Sequence, residues 1–458
     1  MYIRAQGRGG LLFLMSVTSA EYLCFLLAAA LLYWAARRRG VGLLAILGAN
    51  CAFLVWQHPL YAFLLPAVAF ADFSIARQIP EAPHRQKRFL AGVSVALNLS
   101  LILLTKVPHP ILALSLSFYA FQAMTYTIDV CRGDARPVDS FLRHATSVTF
   151  FPTLLAGPIT NVPKLAAQWL KARDLEEAEG SRALFLIGLG FAKKFLIADY
   201  LGEHLVNRVF DTPALYSGGE NLLAAYGYAF QLYYDFSGYT DIALGSALLV
   251  GIQLPANFQQ PYAARNIAEF WRRWHISFST WLRDYLYYAL PGKRTSYMPY
   301  LGLVITMALG GLWHGFSWNF LIWGLLHGTA LAATRYWQSR RKGTAASTSL
   351  LGRTAATAGT FHLVLAGWIF FRSETTAGAL TMLNQISGFT MGFANVETGF
   401  LAVLAAAVLL HYVPLHAAAQ KAFSGAPAPV QAAILLAILF SIHSVAGSAA
   451  APFVYQKF

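Results

Sequence analysis

Charged residues are scarce in this sequence, and long stretches without them are frequent. Only 12% of the 458 residues are charged, whereas 57% are hydrophobic. A soluble protein carries about twice that charged fraction. The composition therefore excludes an ordinary soluble globular protein and predicts an all-α polytopic membrane protein.

Cysteine and the common catalytic motifs are also nearly absent. The three cysteines, Cys24, Cys51 and Cys131, are far apart and form no CxxC pair, which argues against a disulfide framework and favours packing roles. The sequence contains no HExxH, GxxxxGKS/T or GxSxG motif, so metallopeptidase, P-loop and serine-hydrolase chemistry have no support. We therefore expect no metal, and a reaction that relies on histidine, neutral polar groups and the reactivity of the substrate itself.

Positive charge, by contrast, is plentiful and unevenly distributed. The formal net charge is +14, and the basic residues concentrate in short links between apolar stretches, at 37–39, 77–88 and 335–342. This distribution is typical of the cytoplasmic loops of membrane proteins. It favours membrane topology over nucleic-acid binding, so we expect a lipid bilayer and no nucleic acid among the partners.

Apolar stretches long enough to cross a bilayer recur along the chain and predict about 10 to 13 membrane helices, some of which could be half-spans or could merge. No internal repeat or long linker separates them, so we predict a single membrane-embedded domain over residues 1–458. Residues 1–14 form a possible extension, because Met15 could be the true start. The candidate spans are 18–36, 41–57, 59–76, 89–107, 110–128, 182–201, 221–235, 238–253, 298–315, 317–334, 354–371, 398–415 and 429–447.

Two segments do not fit a simple spanning pattern. Residues 161–181 are polar and predict a surface link. In residues 265–290, aromatic and aliphatic side chains recur every three or four positions, and charged residues occupy the other face. This pattern predicts an amphipathic helix that lies in the membrane interface; a membrane span that faces a wet cavity is the alternative.

Histidine is the unusual residue of the apolar segment 310–328, which reads GGLWHGFSWNFLIWGLLHG. His314 has glycines on both sides, which permit close approach of a backbone or a ligand, and Asn319 follows within about two turns. An imidazole there suits a general base that takes a proton from an alcohol. The alternative is a core histidine that bridges two helices, and for His327 that structural reading is the stronger one.

Other polar residues could support such a site. His275 lies in WRRWHIS beside Arg273, and it could orient substrate, share a proton or anchor its segment. Asp235 and Asp241 lie in an apolar, aromatic stretch and are six residues apart, so pairing with a lysine or arginine elsewhere is more plausible than a two-carboxylate mechanism. The segment FPTLLAGPI, residues 151–159, should break a helix, and irregular backbone at membrane depth lines a cavity or is buried in protein.

Six blocks together resemble the membrane-bound O-acyltransferases, and especially their bacterial alginate O-acetyltransferase branch. The blocks are FPTLLAGPI, QLYYDFSGYTDIALG, PANFQQPY, EFWRRWHISFSTWLRDYLYYAL, GGLWHGFSWNFLIWGLLHG and GWIFFRS, and they occur in the family's order. The resemblance is most specific over residues 231–328. It implies a ring of tilted transmembrane helices around a central tunnel, with interfacial helices beside it.

The resemblance also implies a function and a site. The family's two characteristic histidines fall on His314, the expected general base, and on His275. Trp313, Asn319, Asp235 and Arg273 are the candidate substrate-binding residues. The expected donor is acetyl-CoA or another acyl thioester, without a metal. The expected acceptor is an exported polysaccharide, reached through a periplasmic SGNH-type acyltransferase partner.

These implications place the protein in the bacterial cytoplasmic (inner) membrane. Two other functions remain open at this point. A D-alanyl or longer-chain acyl transferase would use the same motifs. A proton-coupled transporter would use His314 and Asp235 as a relay, although it would be expected to show inverted repeats.

Overall fold

The computed structural model describes residues 16–106, 116–171, 174–290, 297–340 and 349–445, and the possible extension 1–14 lies outside them. The described residues form helices joined by short connections, with no β-strand among them. The α-helices are α1 (Ala20–Arg37), α2 (Gly42–Gln57), α3 (Tyr61–Gln78), α4 (His84–Leu104), α5 (Leu116–Arg132), α6 (Phe141–Val148), α7 (Phe151–Leu154), α8 (Val162–Gln168), α9 (Glu177–Ala192), α10 (Asn207–Asp211), α11 (Gly218–Leu249), α12 (Ile267–Arg273), α13 (Ile276–Trp281), α14 (Met298–His314), α15 (Trp318–Arg340), α16 (Leu350–Arg372), α17 (Thr376–Ser387), α18 (Thr398–Tyr412), α19 (His416–Ser424) and α20 (Ala428–Val445). The π-helical segments are Lys193–Asp199, Gly202–Val206 and Leu282–Leu286, and the 3₁₀ segments are Trp169–Lys171, Pro213–Leu215, Pro261–Ala263 and Tyr287–Ala289.

The helices confirm an all-α polytopic membrane fold. Three of them, α1, α4 and α16, are both long and apolar enough to cross a bilayer, and α18 with α19, which meet at 87°, would pass as one broken span. Of the other predicted spans, α2 and α14 are apolar but shorter. The two predicted spans at 221–235 and 238–253 merge into the single 32-residue helix α11.

Basic residues near the ends of α5 and α15 lie beside the segment 282–289, and we call this the basic end. Arg132, at the end of α5, donates to the Asp284 carbonyl at 2.9 Å. The Cys131 thiol near the end of α5 donates to the Lys87 carbonyl at the start of α4, 3.6 Å away. Arg335, near the end of α15, donates to the Tyr287 hydroxyl at 2.7 Å. From Lys87, α4 runs about 26 Å to Leu104 at 1.5 Å per residue, so its far end lies well away from the basic end.

Helices α14 and α15 form a close antiparallel hairpin, and glycines permit it. A Cβ on Gly311 would overlap the Phe320 carbonyl oxygen, and one on Gly324 would lie 2.9 Å from the Ala308 Cα. Such contacts require the two backbones to pack without intervening side chains. The glycines near His314 therefore serve helix packing, and they hold the end of α14 against the start of α15.

Residues 265–290 do not form one amphipathic helix, contrary to the sequence-based expectation. The helix breaks between α12 and α13 at His275, whose φ of +42° is left-handed. The apolar side chains of the segment, such as Trp274 and Phe278, are buried inside the protein at 1% exposure. The three-to-four-residue periodicity thus reflects burial against other helices, and the prediction of one continuous helix is wrong.

The predicted surface link at 161–181 is likewise packed on one face. Val162, Leu165 and Trp169 are buried, and the Trp169 indole donates to the Ser147 hydroxyl at 3.1 Å. The preceding segment 151–159 breaks after α7, as its prolines and glycine predict, and it is buried.

Candidate active site

His314 ends α14 and is 2% exposed. Aromatic rings surround its imidazole, with Trp313 at 4.5 Å, Phe371 at 4.8 Å and Trp323 at 5.4 Å between ring centroids. The Lys106 ammonium, just beyond α4, donates to the His314 carbonyl oxygen at 2.9 Å. A cation at a helix C-terminus satisfies an otherwise unpaired carbonyl and interacts favourably with the helix dipole. The imidazole is therefore held in a dry, aromatic enclosure next to the end of α4 that lies far from the basic end.

His275 occupies the break between α12 and α13 and is 1% exposed. Phe118, Phe236 and Phe278 pack against its ring, with centroid distances of 6.2, 4.7 and 5.0 Å. Its Nδ1 lies 3.2 Å from the Oδ1 of Asn257. The sequence did not show this contact, because Asn257 is 18 residues away and the left-handed bend is needed to bring the two together.

The structure brings the two predicted histidines to one place. Phe278 contacts both imidazoles, His275 at 5.0 Å and His314 at 6.4 Å between centroids. Trp313 packs against the same phenyl ring at 4.6 Å, and its indole N–H donates to the Ser117 hydroxyl at 3.0 Å. We call His275 and His314 the histidine pair. Two buried imidazoles that contact one aromatic ring can exchange protons with a substrate while water is largely excluded.

Asn319 lies close in sequence but is engaged in holding helices together. Its Nδ2 donates to the Ser373 carbonyl at 2.6 Å, and its Oδ1 accepts from the Thr376 hydroxyl at 2.7 Å. These bonds tie the start of α15 to the connection between α16 and α17. Asn319 is therefore a poor candidate to hold a substrate carbonyl, because both ends of its amide already have protein partners.

Asp235 and Asp241 both pair with lysines of the π-helical segment that follows α9. The Lys194 ammonium lies 2.8 Å from Asp235 and 2.7 Å from Asp199, and Lys193 lies 2.6 Å from Asp241. This confirms the expectation that these carboxylates pair with a distant lysine. It also commits both lysines to ion pairs, which argues against their attracting the phosphates of a cofactor.

Arg273 and His327 are both committed to protein contacts. Arg273 pairs with Glu269, one helical turn earlier, at 2.6 Å. His327 is fully buried, and its Nδ1 accepts from the Trp271 indole at 3.3 Å. The structural interpretation of His327 agrees with this geometry, and the Arg273 guanidinium is engaged by Glu269.

A polar cavity of about 660 Å³ opens at the basic end. Asp129 forms part of its wall and accepts from the Tyr285 hydroxyl at 2.9 Å. Burial, followed by the Asp129 charge, raises the pKa of the Tyr285 phenol, so its O–H stays protonated and donates. Arg132 stacks over the Tyr285 ring at 5.4 Å. Arg136 and Lys164 add two further cations to the lining, and Asp134 and Asp284 add two further carboxylates.

Helix α5 connects this polar cavity to the histidine pair. Phe118 packs against His275 near the start of α5, and Asp129 lines the cavity near its end. Eleven residues of α-helix separate them, which correspond to about 16 Å. No group of three or more histidine, cysteine, aspartate or glutamate side chains that could hold a metal occurs within the described ranges.

Comparison with known proteins decides the family. The model of the MBOAT, membrane-bound O-acyltransferase, family matches residues 137–365, which contain both histidines. The chain is 36% identical to the probable alginate O-acetylase AlgI of Pseudomonas fluorescens over 376 residues, which cover 78% of this chain and 72% of that protein. The chain belongs to the membrane-bound O-acyltransferase family.

Two further relatives are similar to this chain, one from the alginate branch and one from outside it. The probable alginate O-acetylase AlgI of Azotobacter vinelandii is 39% identical over 329 residues, 70% of this chain and 63% of that protein. The peptidoglycan O-acetyltransferase of Helicobacter pylori is 31% identical over 379 residues, 73% of this chain and 71% of that protein. The chain thus spans slightly less than two thirds of the A. vinelandii relative.

Sequence patterns missed several polar residues that fix this membrane-bound O-acyltransferase site. Asn257, Ser117 and Lys106 contact His275, Trp313 and the His314 backbone, respectively. The block PANFQQPY already marked the surroundings of Asn257, but spacing along the chain carries no information about which helix end it meets.

Proposed function

We propose that this protein transfers an acetyl group from a thioester to a hydroxyl group, with His314 as the general base. One observation carries the proposal: two buried imidazoles contact the same ring, that of Phe278, in a chain of the membrane-bound O-acyltransferase family. A neutral imidazole has one unprotonated ring nitrogen, and its lone pair can accept the proton of a hydroxyl group.

The reaction needs no redox partner. The hydroxyl oxygen attacks the thioester carbonyl carbon while an imidazole nitrogen of His314 takes the hydroxyl proton. The tetrahedral intermediate then collapses, the carbon–sulfur bond breaks, and the thiolate recovers the proton as a thiol. The aromatic enclosure of His314 limits the competing hydrolysis, since water would otherwise attack the same carbonyl.

The donor is acetyl-CoA, and its phosphates bind at the polar cavity of the basic end. Arg136 and Lys164 have no ion-pair partner in the described residues, and guanidinium and ammonium groups are the usual ligands of phosphate. The basic end is the cytoplasmic end by the positive-inside rule. The thioester would then extend along α5 towards the histidine pair.

The acceptor lies on the other side of the membrane. The relatives named as alginate and peptidoglycan acetylation proteins support an exported polysaccharide as the final acceptor. We expect a periplasmic SGNH-type partner to receive or relay the acyl group. The location is then the bacterial cytoplasmic membrane, with acetyl transferred from the cytoplasmic to the periplasmic face.

The test is acetyl transfer from radiolabelled acetyl-CoA in inside-out membrane vesicles. Wild type is compared with His314→Ala and with His144→Ala as a matched control. His144 is also fully buried against aromatic rings, Tyr126 among them at 4.5 Å, so both substitutions remove a buried imidazole. We expect wild type and His144→Ala to release CoA and transfer the label, and His314→Ala to do neither when equal amounts of folded protein are present.

Two outcomes would contradict parts of the proposal. Equal transfer by wild type and His314→Ala would show that His314 is structural. Lack of acetyl-CoA consumption by all three proteins, with transfer from an acyl-carrier protein or a D-alanyl thioester instead, would show that the donor is another thioester.

A further inference from the structure

The side-chain oxygen of Asn257 takes part in three hydrogen bonds. The side chain is 1% exposed, and its Oδ1 accepts from the Ser277 backbone N–H at 3.1 Å and from the Ser277 hydroxyl at 2.9 Å. The same oxygen lies 3.2 Å from Nδ1 of His275. The backbone repeats the connection, because the Ile276 N–H donates to the Asn257 carbonyl at 2.9 Å.

These bonds determine which nitrogen of His275 carries the proton. A backbone N–H can only donate, so the atom that faces the Ser277 N–H must be the amide oxygen and not the amide nitrogen. An amide oxygen can only accept, so Nδ1 of His275 must be the N–H donor. In the neutral ring, Nε2 then carries the lone pair and can only accept a hydrogen bond.

The Nε2 atom is buried and has no hydrogen-bond partner in the described part of the chain. Three phenylalanine rings pack around the imidazole, and the residue itself has the left-handed φ of +42°. A buried acceptor without a partner and a strained non-glycine backbone both cost free energy. Their coincidence at one residue points to a bound substrate that supplies the missing donor.

We infer that Asn257 is a positioning residue that holds His275 as its Nδ1–H tautomer, so that Nε2 accepts a hydrogen bond from an O–H or N–H of the substrate. The inference rests on the proposed acyl transfer for its functional meaning. The inference also excludes a role for His275 as a donor to the thioester carbonyl, since a neutral His275 in this tautomer cannot donate from Nε2.

A purely structural role is the competing explanation, and a matched asparagine separates the two. Asn221 is also fully buried, and its Nδ2 donates to the carbonyl oxygens of Pro213, Tyr216 and Ser217 at 3.1, 3.0 and 2.9 Å. Asn257→Leu deletes the three hydrogen bonds of Oδ1 and a long one, at 3.5 Å, from Nδ2 to the Thr240 hydroxyl. Asn221→Leu deletes three hydrogen bonds. Only the first substitution touches a histidine.

The kinetic test measures kcat and KM for acetyl-CoA with equal amounts of folded protein. We expect Asn257→Leu to lower kcat by between about 10-fold and about 10⁴-fold, the range found when the partner that orients a functional histidine is removed. Asn257→Asp keeps an acceptor oxygen and should stay within about tenfold of wild type. Asn221→Leu should keep the wild-type kcat. Equal kcat losses in the two leucine variants would overturn the inference.

A second measurement is independent of activity and of the stability of any leucine variant. Nitrogen-15 solid-state NMR of histidine-labelled wild-type protein in bilayers reports which ring nitrogens are protonated, and subtraction of the His275→Asn spectrum assigns the signals. A protonated Nδ1 with an unprotonated Nε2 supports the inference. A protonated Nε2 overturns it, even if acetyl-CoA proves not to be the donor, whereas absence of transfer by wild type refutes only the proposed function.

Discussion

Replacement of Lys194 should be far more damaging than replacement of its partner Asp235. Lys194 is 2% exposed, and its ammonium contacts both Asp199 and Asp235, at 2.7 and 2.8 Å. Lys194→Met would leave two buried carboxylates without this cation. Removal of one partner of a buried ion pair costs about 3–5 kcal/mol, chiefly because the other charge stays buried and uncompensated.

Asp235→Asn removes a negative charge from this cluster, whereas Lys194→Met removes the positive one. The amide oxygen can still accept from Lys194, and the pair of Lys194 with Asp199 remains complete. We therefore expect a loss below about 1 kcal/mol, comparable to one ordinary hydrogen bond. The double variant Lys194→Met/Asp235→Asn should be more stable than Lys194→Met alone, since only one buried carboxylate then lacks its partner.

Unfolding free energies in mixed micelles, titrated with SDS, would measure this order. Equal losses for Lys194→Met and Asp235→Asn, or a double variant less stable than Lys194→Met, would refute the electrostatic reasoning. A parallel assay of acetyl transfer by the same variants distinguishes a structural role of Asp235 from a chemical one. If folded Asp235→Asn loses acetyl transfer while its stability is preserved, Asp235 acts on the substrate or on a proton, as the transporter hypothesis assumed.

Two further predictions concern the hairpin and the polar cavity. Gly324→Ala should lower the thermal unfolding midpoint, because the new Cβ would overlap the Met307 carbonyl. Gly359→Ala is the control, since its Cβ would have no atom within 4 Å, and it should be neutral or stabilising by up to about 1 kcal/mol. Equal shifts of the midpoint in the two variants would contradict the close packing of α14 against α15. Lys164→Gln should raise KM for acetyl-CoA about two- to tenfold by loss of one exposed charge contact but leave KM unchanged for a short phosphate-free acetyl thioester. Lys421→Gln, outside the cavity, serves as the control, and an equal change for both thioesters would argue against phosphate binding.

The sequence predicted the helices well because apolar length and breaks are local properties. The start of α14 and the end of α2 agree with the predicted spans to within a residue. The two predicted spans around Asp235 merged, because Asp235 and Ser237 are accommodated inside the protein and do not end the helix. Composition alone cannot tell a polar residue that ends a span from one that has a buried partner.

Periodicity misled at residues 265–290 for a related physical reason. An apolar face can be covered by lipid headgroups or by other helices, and both give the same three-to-four-residue spacing. The bend at His275 adds no pattern of its own, since its left-handed backbone is stabilised by contacts with Asn257 and Ser277 rather than by local propensity. The residues proposed to take part in the reaction could thus be predicted from their residue type, whereas the residues that orient them could not.

The length of α5 between the polar cavity and the histidine pair separates two requirements that conflict in one place. Recognition of a charged donor needs exposed cations, whereas acyl transfer to a hydroxyl group competes best with hydrolysis where water is excluded. In the proposed reaction, a spacer of about 16 Å would let the protein bind the donor phosphates at the polar cavity and use the acyl group at the histidine pair. Such a spacer also acts as a length filter, since a donor whose acyl group lies too near its phosphates would be held correctly and yet never reach the imidazoles.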